Sequence, residues 1–227
     1  HPECRQRETD HVMGVDAHNS LRKRNAALEL IDGFRRLLAT SPAEADIRDA
    51  TACARRRALE LQGEPADRPY LRKTISQLGT ALRRAGWTAI CAQLLEWALA
   101  EQLEDSFLYT ELVMCHLAAD DVAAAEQVLG RAEASGMVAE AIYASLVAAW
   151  GRVGRPGDAQ RIFDRALRAG VCGHFAYTAL MDSYVRAGDL AQARVVFSAA
   201  QASGCLDTGA YAVLLRAYIR AGCAAEI

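Results

Sequence analysis

Lysine is almost missing from this chain. Lys23 and Lys73 are the only two among 26 basic residues, so positive charge is carried by arginine. Proline is scarce too, with five in 227 residues, and tryptophan occurs three times. Few prolines and abundant alanine and arginine favour helix. No stretch approaches the roughly 20 consecutive apolar residues that a membrane-spanning helix requires. The seven cysteines (Cys4, Cys53, Cys91, Cys115, Cys172, Cys205, Cys223) are odd in number and contain no CxxC pair. They read as reduced packing or loop thiols in a reducing compartment rather than a disulfide framework. Nor does one sign of charge dominate, because 28 acidic residues bring the net charge to −2, which does not mark a nucleic-acid binder. What is present, 52% apolar and 24% charged residues, is enough for a globular core. The chain begins at His1 and stops at "AGCAAEI". Both ends are expected to be cut from a longer protein, which would leave any targeting segment outside.

The organising feature is a repeat. The tyrosine that opens "YTALMDSYVRAGDLAQARVVFSAAQASG" superposes on Ile75, Tyr109, Tyr143, Tyr177 and Tyr211 at steps of 34 residues. Three residues on stand Leu78, Leu112, Leu146, Leu180 and Leu214, and seven on stand Leu82, His116, Trp150, Tyr184 and Tyr218. Steps of three and four mark one face of a helix. Gly86, Asp120, Gly154, Gly188 and Gly222 then end that helix, as a left-handed residue does. A second helix follows, with small residues at Cys91, Ala125, Ala159 and Ala193 and at Ala98, Ala132, Ala166 and Ala200. Leu95, Leu129, Phe163 and Phe197 stand between them, and Gln102, Gly136, Gly170 and Gly204 close it. Small columns predict close helix packing, and bulky ones predict filled gaps between units.

Four copies result, at about 72–105, 106–139, 140–173 and 174–207, with a partial copy at 208–227. The fold class predicted is all-α, a right-handed α-solenoid of stacked antiparallel helix pairs whose concave groove is the functional surface. Repeats fill residues 70–227. Residues 19–69 read as amphipathic helices, a degenerate repeat or a cap, with Pro42 expected in the first turn of the second helix. Residues 1–18 are polar, without period, and expected to be disordered.

The columns resemble two helical-repeat families. The tyrosine, the leucine with its apolar neighbour, "RAG", the alanine, the phenylalanine and the closing glycine are similar to the pentatricopeptide repeat. "YASLVAAWGRVGRPGDAQRIFDRALRAG" and "YAVLLRAYIRAG" repeat the pattern. The usual pentatricopeptide unit is one residue longer and often has methionine where Ala132, Ala166 and Ala200 stand, features that suit the rival tetratricopeptide repeat. The proline expected after the rival's second helix is absent here.

The pentatricopeptide resemblance implies binding of single-stranded RNA at one base per repeat, with work on transcripts of a chloroplast or mitochondrion in processing, stability or translation. The residue after the repeat tyrosine and the last residue of the repeat would read the base. Here these are Ser76 with Asp105, Thr110 with Ala139, Ala144 with Gly173, Thr178 with Asp207, and Ala212 alone. Thr178 with Asp207 would prefer a purine, guanine in particular, whereas Ala139 and Gly173 offer no side-chain hydrogen bond. The short unit leaves the last position open by one residue, which would substitute Ser106, Glu140, His174 and Thr208. Asp105 and Asp207 read equally well as caps of the following helix.

Arg84, Arg152, Arg186 and Arg220 form a column, with Ala118 at its fifth place, spaced to meet phosphates. Arginine near a helix C-terminus also favours the dipole. Residues 75–227 carry 12 arginines and 16 acids, a balance of −4, so affinity for RNA is expected to be modest and salt-dependent. The acidic balance suits the tetratricopeptide alternative, a protein-binding scaffold whose groove holds a peptide or a partner helix.

Chemistry is not indicated. "GRVGRPG" lacks the GK[ST] ending of a phosphate loop, and Pro156 in it reads as a helix start. His1, His11, His18 and Cys4 lack zinc spacing, and His116 sits in a packing column. No catalytic residues, cofactor or metal are expected.

Overall fold

A computed structural model describes residues 25, 29–40, 42–61 and 68–222. The segment expected to be disordered, with its histidines and Cys4, lies outside the described residues, as does Cys223. Every regular element among the described residues is an α-helix. These are α1 (29–39), α2 (Glu44–Leu61), α3 (Arg68–Arg84), α4 (Thr88–Ala100), α5 (Ser106–Ala118) and α6 (Val122–Ala134). They continue with α7 (Glu140–Arg152), α8 (Pro156–Arg168), α9 (His174–Arg186), α10 (Leu190–Ala202) and α11 (Thr208–Ala221). The fold is an all-α repeat. First helices begin at 106, 140, 174 and 208 and second helices at 122, 156 and 190, each 34 residues apart. No helix among the described residues is long and apolar enough to cross a membrane.

The turn chemistry repeats with the same period. Both closing columns are left-handed throughout, with φ between +58° and +88°, including the two residues that are not glycine, Gln102 and Asp120. In the turn after α7, Gly154 N–H donates to Gly151 O at 3.2 Å and Arg155 N–H to Trp150 O at 3.0 Å, which uses up carbonyls the helix end leaves free. Pro156 then opens α8 in its first turn, as the sequence predicts. Pro42 does not do the same for α2. There Ala43 is the cap, its N–H held by Asp46 Oδ2 at 3.1 Å and its carbonyl accepting from Ile47 N–H, so Pro42 stands one residue too early.

The described residues fall into two compact units that divide between Glu111 and Leu112. In the first, α3 packs on α4, and α2 lies against α4. The Arg55 guanidinium sits 5.8 Å from the Trp97 ring centre. Arg83 pairs with Glu111 at 2.9 Å. In the second unit α7 packs on α9 and α9 on α11, with α8 and α10 layered against them.

The small columns are where the layers touch. Cys91, Ala98, Ala125, Ala132, Ala159, Ala166, Ala193 and Ala200 are all fully buried. Bulky residues fill the spaces between successive pairs. Phe163 of α8 meets Tyr177 of α9 edge-on at 4.9 Å, and Phe197 of α10 meets Tyr211 of α11 at 5.3 Å. Gly151 lets α7 and α9 approach further, because a Cβ there would lie 2.8 Å from Ser183 Cβ.

Charge zips neighbouring second helices together. Arg161 of α8 pairs with Glu126 of α6, and Arg165 bridges Glu126 at 3.2 Å and Glu133 at 2.6 Å. Tyr143 OH also donates to Glu133 at 2.9 Å. The hydrogen bond from Arg161 holds the Glu126 carboxyl below its usual range against the opposing effect of burial. For Glu133, burial raises the pKa, but hydrogen bonds from Arg165 and Tyr143 outweigh it and leave the carboxyl lowered. Burial, followed by the bond to Glu133, pushes the Tyr143 phenol well above its ordinary value. The acids around residues 126–133 and the arginines of α8 are thus partners across one repeat boundary.

Candidate nucleic-acid interface

First helices carry the candidate site. In the second unit α7, α9 and α11 line an open groove of about 550 Å³. The α7 wall is built of Ala141, Ala144, Ser145 and Ala148, which leave room rather than fill it. The α9 wall presents Phe175, Thr178, Asp182 and Arg186, and α11 adds Val213 and Arg216. Spacings of four along α9 put Thr178, Asp182 and Arg186 on one face.

Thr178 and Asp207 come together. Thr178 Oγ1 donates to Asp207 Oδ1 at 3.1 Å, and the same oxygen accepts Ala210 N–H at 2.8 Å as the cap of α11. Asp207 is thus at once the cap of α11 and the acceptor of the Thr178 hydroxyl. Ser76 and Asp105 differ, because Asp105 accepts instead from Ser106 Oγ and Phe107 N–H, each at 3.3 Å. Thr110 turns its hydroxyl back to Ser106 O at 2.7 Å. Ala139 and Gly173 are caps of α7 and α9 without a side-chain bond of their own, Ala144 is buried against the groove wall, and Ala212 is exposed on α11. Of the shifted alternatives, His174 and Thr208 begin helices α9 and α11, while Glu140 turns forward and accepts Phe175 N–H at 3.2 Å.

All four column arginines are exposed in the last turns of first helices. They are not equally available. Arg186 Nε lies 2.6 Å from Asp182, which also meets Arg216 of α11 at 3.4 Å. Among the described residues Arg84, Arg152 and Arg220 make no ion pair.

The sequence pattern alone did not single out Phe175. Its side chain is 60% exposed at the groove, beside the His174 ring at 4.0 Å between centres. The signal was available two places before the repeat tyrosine, in the column Lys73, Phe107, Ala141, Phe175 and Gly209. Phe107 is exposed like Phe175, which a packing column would not be.

Comparison with known proteins bears on the repeat and the fold. The family model described as PPR repeat matches residues 141–171 and 175–205, two successive copies of the 34-residue unit. Over these residues the chain carries pentatricopeptide repeats. No curated protein matches it in sequence. Among solved structures, the pentatricopeptide repeat protein PPR10 in complex with an 18-nt psaJ RNA element is similar at a TM-score of 0.56 and 16% identity. That match covers 77% of this chain and 28% of PPR10. The PPR10 structure from maize also matches at 0.56 and 16% identity, over 84% of this chain and 29% of the other. At this identity the likeness is one of fold, and this chain spans less than a third of the length of PPR10.

Proposed function

We propose that this pentatricopeptide-repeat chain binds single-stranded RNA along its first helices, and that it works on transcripts of a chloroplast or mitochondrion in their processing, stability or translation. The observation that carries the reading is the Thr178–Asp207 hydrogen bond beside an open groove. A carboxylate fixed by a hydroxyl and a helix N-terminus is pre-oriented to accept from the N–H edge of a base, which favours guanine. Phe175 offers a face on which a base stacks, a contact indifferent to base identity. Arg84, Arg152, Arg186 and Arg220 meet phosphates, each adding to affinity and to its salt dependence. The complex of PPR10 with an RNA element, in a protein of the same fold, agrees with this reading. Binding rather than catalysis is the proposed activity.

The test is a mobility-shift titration of the full chain with a degenerate single-stranded RNA pool and a fully paired RNA duplex. Retention of the single strand and not the duplex is the expected result. A chain that leaves the single strand free at low salt overturns the proposal, and capture of a protein partner by such a chain would favour the scaffold alternative.

A further inference from the structure

Gly173 is the last residue of its repeat and has no side chain with which to read a base. Its backbone, at φ −117° and ψ −170°, is extended and open to any residue, so conformation does not call for glycine. Space does. A Cβ on residue 173 would lie 2.5 Å from Glu140 Oε1 and 2.6 Å from Oε2. The carboxylate of Glu140, carried from the start of α7, occupies the place a side chain at 173 would take.

Its surroundings parallel those of Asp207 one repeat later. Asp207 Oδ1 is fixed by Ala210 N–H at the start of α11, and Glu140 Oε1 is fixed by Phe175 N–H at the start of α9. Among the described residues neither carboxylate is paired with a cation, and Glu140 Oε2 accepts no hydrogen bond. Ala144 stands one turn after Glu140 on α7 and presents a methyl group where the next unit presents the Thr178 hydroxyl. A fixed carboxylate with one open oxygen results, held on the backbone of groove-lining Phe175 and one turn from the Ala144 wall.

We infer that Glu140 is a specificity-determining residue that supplies the acidic group missing at Gly173, so that the unit of Ala144 selects guanine instead of reading nothing. The inference rests on the proposed base reading by Thr178 and Asp207. Guanine is the base with two adjacent N–H donors on its pairing edge. Adenine and cytosine set an amino donor beside a ring-nitrogen acceptor, and uracil flanks its single N–H with two carbonyls, so each brings an acceptor towards the carboxylate.

The experiment is selection from a degenerate single-stranded RNA pool by the full chain, read as base preference at each bound nucleotide. Wild type, Glu140→Gln, Asp207→Asn and the double variant Glu140→Ala with Gly173→Asp are compared. Guanine is expected at two neighbouring nucleotides in wild type. Glu140→Gln should lower enrichment about tenfold at one of them, the loss expected for a charge-assisted bond. Asp207→Asn should act only on the other, and the double variant should restore the first. Glutamine keeps an acceptor for Phe175 N–H, so folding is preserved, and thermal melting of each variant verifies it. If Glu140→Gln leaves both preferences intact, whatever its melting, the carboxylate does not read a base and the inference falls. If wild type shows no preference and Asp207→Asn changes nothing, the base reading itself falls and this inference with it.

Discussion

Thr178 and Asp207 stand 29 residues apart in sequence and meet at 3.1 Å, the hydroxyl of one first helix donating to the carboxylate that caps the next. On the proposed base reading, stability and recognition are joined at Asp207 but not at Thr178, and mutation separates them. Asp207→Ala removes the α11 cap and should cost about 1 kcal/mol in chemical denaturation as well as base preference. Thr178→Val should lose base preference with the melting temperature nearly unchanged. Equal destabilisation by both changes would contradict this division.

On the proposed function, Asp182 competes with RNA for the groove cations. It holds Arg186 at 2.6 Å and Arg216 at 3.4 Å, on the same face of α9 as Thr178. Asp182→Asn should release both arginines, tighten RNA binding several-fold and steepen its salt dependence by about 0.7 for each further phosphate neutralised. Unchanged affinity in a titration at fixed salt would show that the phosphate path runs elsewhere.

Two turns carry strain that glycine would relieve. Gln102 and Asp120 both adopt φ 58° in columns otherwise filled mostly by glycine, a conformation that costs an ordinary side chain roughly 1–2 kcal/mol. Gln102→Gly and Asp120→Gly should each stabilise the protein, by up to about 1 kcal/mol after the extra freedom of glycine in the unfolded chain is subtracted. Gly151→Ala should act in the opposite direction, by about 1–3 kcal/mol, because its methyl group would press on Ser183. Denaturation curves of the three variants check both signs.

These turns also show how much of the fold was legible in the sequence. Four glycines at a fixed period announced left-handed ends of the first helices, register extended that to Asp120, and a second column marked where the second helices close, which the structure shows to be left-handed too, Gln102 included. The buried alanine columns were readable for the same reason, since a repeat averages out local accidents. Side-chain direction was not readable. Glu140 has enough torsional freedom to turn towards either repeat boundary, and only the space at Gly173 shows which it takes. The Asp182–Arg186 pair lay in plain view at a spacing of four. It was obscured because the arginine column stands out down the repeats and not along its own helix.

The ion pairs between α6 and α8 predict acid sensitivity. Glu126 and Glu133 titrate below their ordinary value of 4.5 in the folded protein. A lowered folded pKa gives stability that is fully present above the unfolded value and is lost as pH falls through the folded one. Wild type should therefore lose melting temperature below about pH 5 more steeply than a Glu126→Gln, Glu133→Gln variant, with the two curves converging in acid. Parallel curves would mean that the pairs contribute nothing to stability.

That the first-helix face binds a polyanionic single strand is the central claim, and fluorescence anisotropy tests it most directly. The full chain would be titrated with a degenerate single-stranded RNA pool over a salt series, beside the variant with Arg84, Arg152, Arg186 and Arg220 replaced by alanine. Wild-type affinity should fall linearly with the logarithm of salt, and the variant should bind more weakly, with a slope shallower by about 0.7 for each phosphate that its arginine no longer neutralises. Identical slopes and affinities in the two proteins, or no binding by wild type at low salt, would contradict it.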